Sequence, residues 1–337
     1  MLASREDRRD HASASLLREF LKESKIEGRI LELLASPAAS ENFPSGSLSK
    51  IDRWSRIVGS GQEPWFWPAR NRYEAATLRL PRSKKELEML THLALSCLYV
   101  GCPLWIYGAN DEGIKSVEMS LKSLAQSVTT VAYGKKCRVV EVRGLREFSY
   151  RGELDDWKNQ ISLDLIGIRR DWVSYPGVFA KGCLDPGTEV LIDSLPLIPR
   201  NTQVLDFGCG SGLVGGAILL KDNSVSVDFL DIDRLALEAV KKNMPGAKII
   251  ASDGYSELRD RRYDLIVSNP PYHKGRNWSD ALIKVMVEGG VQHLNPEGRL
   301  IFVVQRRLKI ERLLVPYYKT IEVLADRDLY RVWSANL

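Results

Sequence analysis

The chain has 337 residues, of which 44% are hydrophobic and 27% are charged. This length and balance predict a folded protein of two domains with a substantial core, and they exclude a fibrous or largely disordered chain. Its 48 basic and 43 acidic residues give a net charge of +5. So mild an excess permits a polyanionic partner such as nucleic acid but does not establish one.

The cysteine spacing and the length of the apolar runs bear on metal binding, redox compartment and membrane insertion. The five cysteines form no CxxC pair, and only four histidines are present. We therefore expect free thiols in a reducing compartment and no metal site. No apolar run is long enough to span a bilayer, and the N-terminus carries acidic residues among its arginines and no apolar signal core. The prediction is a cytoplasmic protein without a membrane segment; the acidic residues argue against an organellar transit peptide without excluding one.

In chain order, the first predicted elements begin at residue 73, and the role of residues 1–70 stays open. The predicted elements are a strand at 73–78, a helical stretch, a strand at 101–107 that begins with glycine, a helix at 114–126, and a strand pair at 128–132 and 138–143. Residues 1–145 are predicted to form an N-terminal domain. A connector is predicted at 146–175 and a second domain at 176–337.

From residue 203 onward, short β-branched runs alternate with helical patterns, which is typical of a doubly wound parallel sheet. The predicted strands are 203–207, 225–230, 247–250, 263–267 and 299–304, and the predicted helices are 234–243, 279–293 and 308–315. Two further strands, 319–325 and 329–335, are joined by a polar turn. They predict a closing hairpin with one strand antiparallel to the sheet.

The two halves share one order of elements, which predicts an internal duplication; the alternative is that any α/β chain gives such an order. Tyr73 aligns with Tyr263. The first copy has no Gly-rich turn after a strand, and it carries Leu80-Pro81-Arg82-Ser83 where the second carries Asn269-Pro270-Pro271-Tyr272. The first copy is therefore expected to be degenerate and without catalytic activity.

A glycine-rich turn, with Gly208, Gly210 and Gly212, follows the strand that begins the second sheet. Glycine there allows restricted backbone angles and close approach of a ligand, although dinucleotide-binding proteins use such turns too. Asp206 precedes the turn. Its carboxylate suits an ammonium group, such as that of S-adenosylmethionine, and would repel a pyrophosphate.

Acidic residues also follow the next two strands. Asp231, with Ile232 beside it, is placed to accept hydrogen bonds from ribose hydroxyls, and Asp253, with Gly254 beside it, from an adenine amino group. Each aspartate alone could equally be a helix cap or a turn residue. Three successive strand ends with an aspartate together favour a cofactor site that binds S-adenosylmethionine.

The tetrapeptide Asn269-Pro270-Pro271-Tyr272 comes directly after the fourth strand. Two prolines fix the backbone and remove two N–H donors. The side chain of Asn269 and the carbonyl of Pro270 could accept both N–H bonds of a planar amine and direct its lone pair toward a methyl donor. Tyr272 could stack on a flat substrate. The tetrapeptide is predicted to be catalytic, with Asn269 also bordering the cofactor; the alternative is a proline turn with a half-buried tyrosine.

These motifs resemble the RsmC-like family of ribosomal RNA small-subunit guanine-N2 methyltransferases. The resemblance covers the chain from about residue 73 onward, through the segments 107–116, 175–179, 184–193, 204–212, 230–233 and 268–275. It implies tandem Rossmann-like class I methyltransferase domains, a seven-stranded, mostly parallel sheet with an antiparallel hairpin, and a degenerate N-terminal copy that binds RNA or is structural. It implies ribosomal RNA or the small subunit as partner; a monomer is expected.

The resemblance also assigns roles to single residues. It implies that Asp206, Gly208, Gly210, Asp231 and Asp253 hold the cofactor and that Asn269, Pro270 and Tyr272 hold the target amine. His273 is expected at most to contact the substrate, since the attacking amine loses its proton without a strong base. Two rival functions remain: a protein glutamine N-methyltransferase, for which the same tetrapeptide is suited, and a non-catalytic ribosome assembly factor.

Basic clusters and tryptophans carry weaker expectations. Three basic clusters could follow RNA phosphates, although each is more often a solvated face: Arg306-Arg307 with Lys309 and Arg312; Arg259 with Arg261-Arg262; and Lys135-Lys136 with Arg138. Trp54, Trp65 and Trp67 are expected to pack the N-terminal domain, with stacking on unpaired bases as the alternative.

Overall fold

A computed structural model gives the architecture of the chain. It describes residues 5–24, 26, 28–35, 50–59, 70, 72–146, 151, 153–178, 184–271 and 276–337. The chain divides into two compact units, one of Met1–Arg56 and Ser60–Trp157 and the other of Ile57–Gly59 and Lys158–Leu337. The expected boundary at residue 145 and the expected connector 146–175 therefore differ from this division: most of the connector belongs to the second unit, where it is folded.

The first unit contains a six-stranded sheet with helices α1 to α3. Its elements are α1 (Arg5–Glu23), β1 (Arg29–Leu33), β2 (Lys50–Trp54), β3 (Ala75–Arg79), α2 (Lys84–Cys97), β4 (Leu104–Ala109), α3 (Val117–Leu121), β5 (Ala125–Gly134) and β6 (Cys137–Leu145). The strand order is β2-β1-β3-β4-β6-β5. The first four strands run parallel, and β6 is antiparallel to both β4 and β5.

The second unit begins with a hairpin and continues into a seven-stranded sheet. Its elements are β7 (Asn159–Leu165), β8 (Ile168–Ser174), α4 (Pro186–Ser194), β9 (Gln203–Phe207), α5 (Leu213–Lys221), β10 (Ser226–Asp231), α6 (Arg234–Asn243), β11 (Lys248–Ala251), β12 (Tyr263–Ser268), α7 (Arg276–His293), β13 (Leu294–Gln305), α8 (Glu311–Leu314), β14 (Thr320–Arg327) and β15 (Tyr330–Asn336). The sheet order is β11-β10-β9-β12-β13-β15-β14. Five strands are parallel, and β15 is antiparallel to β13 and β14, so the predicted fold class is confirmed.

The sheet of the second unit is buried on both faces. Neighbouring residues of a strand point to opposite faces, and Val204 and Leu205 of β9 accordingly belong to two different apolar clusters. Helix packing on both faces requires such continuous apolar strands. The ends of the parallel strands are thereby held at fixed positions along one edge of the sheet.

A tyrosine–aspartate pair occurs at the same place in both units. Tyr73, just before β3, donates its hydroxyl to Asp52 of β2 at 3.0 Å, and Tyr263, at the start of β12, donates to Asp228 of β10 at 2.9 Å. β2 and β10 occupy matching positions in the two sheet orders. The shared topology and the shared pair support the predicted duplication.

Two predicted helices are shorter than expected. The helix expected at 308–315 covers only Glu311–Leu314, because residues 305–308 form a turn with a hydrogen bond from Leu308 N–H to the Gln305 carbonyl. The helix expected at 114–126 is replaced by one short 3-10 turn, Ile114–Ser116, and by α3, and Ala125 already pairs with Leu145 in the β5–β6 ladder. Tertiary strand pairing overrides helical periodicity at such ends.

Candidate active site

The predicted site residues lie at the carboxyl ends of four parallel strands. β9 leads into the glycine-rich turn, β10 ends at Asp231, Asp253 follows β11, and Asn269 follows β12. Because parallel strands end at one edge of the sheet, the fold brings these segments to that edge. Ser268 strengthens the arrangement, since its hydroxyl donates to the Phe207 carbonyl at 2.7 Å and joins the ends of β12 and β9.

The glycine turn combines open space with tight packing. Gly208 and Gly210 have φ angles of +67° and +54°, and a Cβ added to either would meet no heavy atom of the described residues within 4 Å. The backbone is therefore exposed to a ligand at these two positions. Gly212 differs, since its Cβ would lie 3.1 Å from Val240 and 3.2 Å from Phe229. Gly212 therefore lets α5 pack closely against these side chains. Gly208 and Gly210 form an open stretch of backbone, here called the glycine cradle.

Asp206 is a buried carboxylate, with 1% of its surface exposed. Its Oδ2 accepts a hydrogen bond from the Gly215 N–H at 2.8 Å, in the first turn of α5. Burial, reinforced by the nearby charge of Asp231, raises the pKa of Asp206 to about 7 against the pull of that hydrogen bond. In its ionised form this buried carboxylate would favour a cationic group placed beside it.

Asp231 organises the loop after β10. Its Oδ2 accepts from the Gly210 N–H and its Oδ1 from the Asp233 N–H, both at 2.8 Å. Each carboxylate oxygen has two lone pairs, so the same group could also accept ribose hydroxyls. Ile232 is half-buried, and its carbonyl accepts from the Val58 N–H at 2.9 Å. The segment Ile57–Gly59 thus lies against the predicted ribose-binding loop, which no sequence pattern indicated.

Asp253 and Gly254 lie in the turn after β11. Asp253 is exposed, whereas the neighbouring Ser252 is buried and donates its hydroxyl to the Gly254 carbonyl at 2.9 Å. Gly254 has a φ angle of +56°, and a Cβ there would lie 3.0 Å from Val285. The turn is therefore fixed by its own hydrogen bond while the carboxylate stays accessible to a ligand amine.

The amide of Asn269 is held by the start of α4. Its Nδ2 donates to Asp185 Oδ2 at 3.0 Å and to Thr188 Oγ1 at 2.8 Å. Pro270 is buried and Pro271 is half-buried. The sequence analysis missed both partners of Asn269 as site residues; an aspartate directly followed by a proline, as at Asp185-Pro186, is a signal for the start of a helix that could have drawn attention to them. Tyr272 and His273 lie outside the described residues.

The β7–β8 hairpin supports the glycine turn from behind. Trp172 of β8 is buried, and its indole N–H lies 3.1 Å from both the carbonyl and the hydroxyl of Ser211. Asn243 donates to the carbonyls of Val173 and Ser211 and accepts from the Val173 N–H. The segment predicted to be a connector is thus part of the support for the turn.

Ion pairs fill the matching edge of the first unit. The register of β1 and β3 places Glu32 where β9 has Asp206, and Glu32 accepts from Arg53 at 2.8 Å. The same registers place Arg79 at the position that Asn269 has in the second unit. The sequence alignment had placed the next residue, Leu80, there. Arg79 is bonded to Asp10 and Glu112. A cation thus stands where the second unit carries the predicted amine acceptor, which supports the prediction that the first copy is degenerate.

The basic clusters are partly neutralised. Arg306 pairs with Asp326, Arg261 with Asp228, and Lys135 with Glu19. Exposed members such as Arg312 could still contact phosphates. Trp54 is buried with 4% of its surface exposed, as a packing residue would be, whereas Trp65 and Trp67 fall outside the described residues.

The described residues fit the cofactor that the sequence predicts. S-adenosylmethionine carries an ammonium, a sulfonium, ribose hydroxyls and an adenine amine, and the site offers carboxylates together with a glycine cradle open to a ligand. A dinucleotide would bring a pyrophosphate toward Asp206 and Asp231, which would repel it. Within the described ranges, no group of three or more His, Cys, Asp or Glu side chains could hold a metal ion.

Family models and curated relatives show what the chain is similar to. The methyltransferase small domain matches residues 170–334, and its N-terminal companion domain matches residues 62–160. Ribosomal RNA small subunit methyltransferase C of Pseudoalteromonas translucida is 28% identical over 269 residues, covering 79% of this chain and 78% of its own length. The protein of the same name from Stutzerimonas stutzeri is 28% identical over 330 residues, and the match covers 94% of this chain and 97% of that protein.

A solved structure matches across nearly the whole chain. The T. thermophilus 16S rRNA N2 methyltransferase RsmC, in complex with AdoMet and guanosine, has a TM-score of 0.81 with 22% identity, and the match covers 96% of this chain and 91% of that one. No helix in the described ranges combines the length and apolar character that crossing a membrane requires. With both domains matched and the fold shared end to end, the chain belongs to the RsmC-like family of methyltransferases.

Proposed function

We propose that this chain transfers a methyl group from S-adenosylmethionine to the exocyclic N2 amine of a guanine in small-subunit ribosomal RNA. The observation that carries the proposal is the position of Asn269-Pro270-Pro271 at the end of β12, at the same sheet edge as the carboxylates of Asp206 and Asp231. The relatives named ribosomal RNA small subunit methyltransferase C, and the similar 16S rRNA N2 methyltransferase structure bound to AdoMet and guanosine, support it.

The cofactor is held through the glycine cradle and the acidic strand ends. Asp206 attracts the ammonium group, Asp231 accepts from the ribose hydroxyls, and Asp253 accepts from the adenine amine. The open backbone at Gly208 and Gly210 allows close approach. S-adenosylmethionine, when bound, supplies an electrophilic methyl group on its sulfonium.

The target amine is oriented by the end of β12. A guanine N2 is a poor nucleophile, because its lone pair is delocalised into the ring. The Asn269 Oδ1 and the Pro270 carbonyl accept its two N–H bonds and favour a tetrahedral nitrogen whose lone pair faces the methyl group. The base is flipped out or already unpaired, and we propose that Tyr272, which lies outside the described residues, stacks on it. The methylated nitrogen loses a proton to solvent afterward, so a strong base is unnecessary.

The first test is transfer of radiolabelled methyl groups to ribosomal RNA, offered both deproteinised and in isolated small subunits, followed by nucleoside analysis. Labelled N2-methylguanosine is expected, and the more active form identifies the substrate. Measured cofactor binding without label in any RNA would overturn the proposal and favour a protein amide as acceptor. A chain that binds no cofactor would favour the assembly-factor alternative.

The second test is Asn269→Ala. The variant loses the amine acceptor but none of the carboxylates at the cofactor cradle. We expect methylation to be abolished while calorimetry finds nearly unchanged cofactor affinity. Full retention of activity in this variant would show that the proposed mechanism is wrong.

A further inference from the structure

We propose that Asp185 and Thr188 are positioning residues that hold the Asn269 amide with its oxygen toward the substrate, and that this orientation restricts the reaction to acceptors with N–H groups. The inference rests on the proposed function and deepens it. Neither residue was assigned a role by sequence motifs. The three side chains are joined at 3.0 Å and 2.8 Å across 84 and 81 residues of chain.

The hydrogen-bond inventory determines which end of the amide faces outward. Nδ2 of Asn269 carries two hydrogens, and it has two acceptors, Asp185 Oδ2 and Thr188 Oγ1. An ionised carboxylate only accepts. A flipped amide would set its oxygen against Asp185 Oδ2, two acceptors with no hydrogen between them, which is unfavourable at a half-buried site. No described residue donates to the Asn269 Oδ1, which is therefore the end of the amide that remains for a substrate among the described contacts.

Helix capping alone does not account for this arrangement. Asp185 is the N-cap of α4, and its Oδ2 accepts from the Thr188 N–H at 3.1 Å. That cap needs the backbone of Thr188 but not its hydroxyl. The Thr188 side chain is nevertheless buried, with the residue 5% exposed, and its oxygen faces Asn269. The hydroxyl serves the amide rather than the helix.

The space around the pair is closely filled. A Cβ at Gly187 would lie 3.0 Å from Asp185 Oδ2 and 3.0 Å from the Tyr330 ring. A side chain there would push the carboxylate away from Asn269. The start of α4 therefore sets the position of the amide within the tolerance that an oriented amine requires.

This orientation has a consequence for substrate choice. An outward oxygen accepts the N–H bonds of an amine and repels a carbonyl oxygen, so the guanine edge enters with N2, and not O6, toward Asn269. If the Asn269 amide could rotate, it could pair with either the N2 or the O6 side of the guanine. The pair thus acts on specificity as well as on rate.

Thr188→Val and Thr188→Ser form the matched test, since valine has the shape of threonine without the hydroxyl and serine keeps the hydroxyl. Loss of one hydrogen bond to the amide should lower kcat for the RNA by about ten- to a hundredfold in Thr188→Val. KM and cofactor affinity should change far less, and Thr188→Ser should recover most of the rate. A parent-like kcat in Thr188→Val would overturn the proposal.

A charge exchange tests the Asp185 contact. Asn269→Asp places two carboxylates together and should be inactive. Adding Asp185→Asn returns a donor to the pair and retains a good N-cap. The double variant should therefore methylate at least about tenfold faster than Asn269→Asp alone. A double variant no better than Asn269→Asp alone would contradict the pairing.

A measurement without substrate separates this inference from the proposed function. In nitrogen-15 spectra of the full chain, the side-chain NH2 of Asn269, assigned by its loss in Asn269→Ala, should exchange slowly with water. Thr188→Val should speed that exchange and shift the resonance. Unchanged exchange would refute the positioning role whatever the substrate is, whereas slowed exchange in a chain that fails to methylate RNA would refute only the proposed function.

Discussion

Replacement of Asp206 by asparagine should abolish a pH dependence of stability that this buried carboxylate creates. Burial raises the pKa of Asp206 from 3.8 to about 7. Between these values the folded protein keeps a proton that the unfolded chain releases. The free energy of unfolding therefore falls as pH rises from about 4 to 7, and the loss is complete above the folded-state pKa. The difference between the two pKa values corresponds to a loss on the order of 4 kcal/mol.

Urea unfolding of the parent and of Asp206→Asn, without cofactor, measures the effect. Asparagine keeps an acceptor for the Gly215 N–H but does not ionise. From pH 5 to 7.5, the parent should lose roughly 2 to 3 kcal/mol relative to the variant. Asp253→Asn is the matched control, since it makes the same substitution at an exposed carboxylate of the same sheet edge. Parallel curves for parent and Asp206→Asn would refute the reasoning.

Two further predictions concern packing around the glycine turn. Gly215→Ala places a Cβ 2.5 Å from the buried Phe229 ring. Overpacking should lower the free energy of unfolding by about 1–3 kcal/mol, which exceeds the gain of about 1 kcal/mol from the higher helix propensity of alanine. Thermal unfolding should therefore show a lower Tm. A higher Tm would show that the ring moves aside freely. Trp172→Phe removes the indole donor to Ser211 and should cost about 1–3 kcal/mol in urea unfolding, and an unchanged midpoint would contradict that contribution.

The sequence by itself determined the fold class, and it predicted where the candidate site lies along the chain. Strand and helix periodicity located the parallel strands of the second sheet, because buried β-branched runs and amphipathic helices have distinct repeats. Asp233 is the N-cap of α6, where it accepts from the Leu235 N–H at 3.0 Å. The predicted helix 234–243 therefore matches α6. Such signals are local, and they can be read from neighbouring residues.

Only the tertiary structure decided which distant residues meet. Nothing in the sequence around Asp185 indicates that its carboxylate contacts Asn269, or that Val58 donates to Ile232, because such contacts depend on how the elements pack. Packing also decided that Trp172 belongs to a hairpin that supports the glycine turn rather than to a linker. Periodicity specifies the face that an element buries, whereas the partner on that face follows from the whole fold.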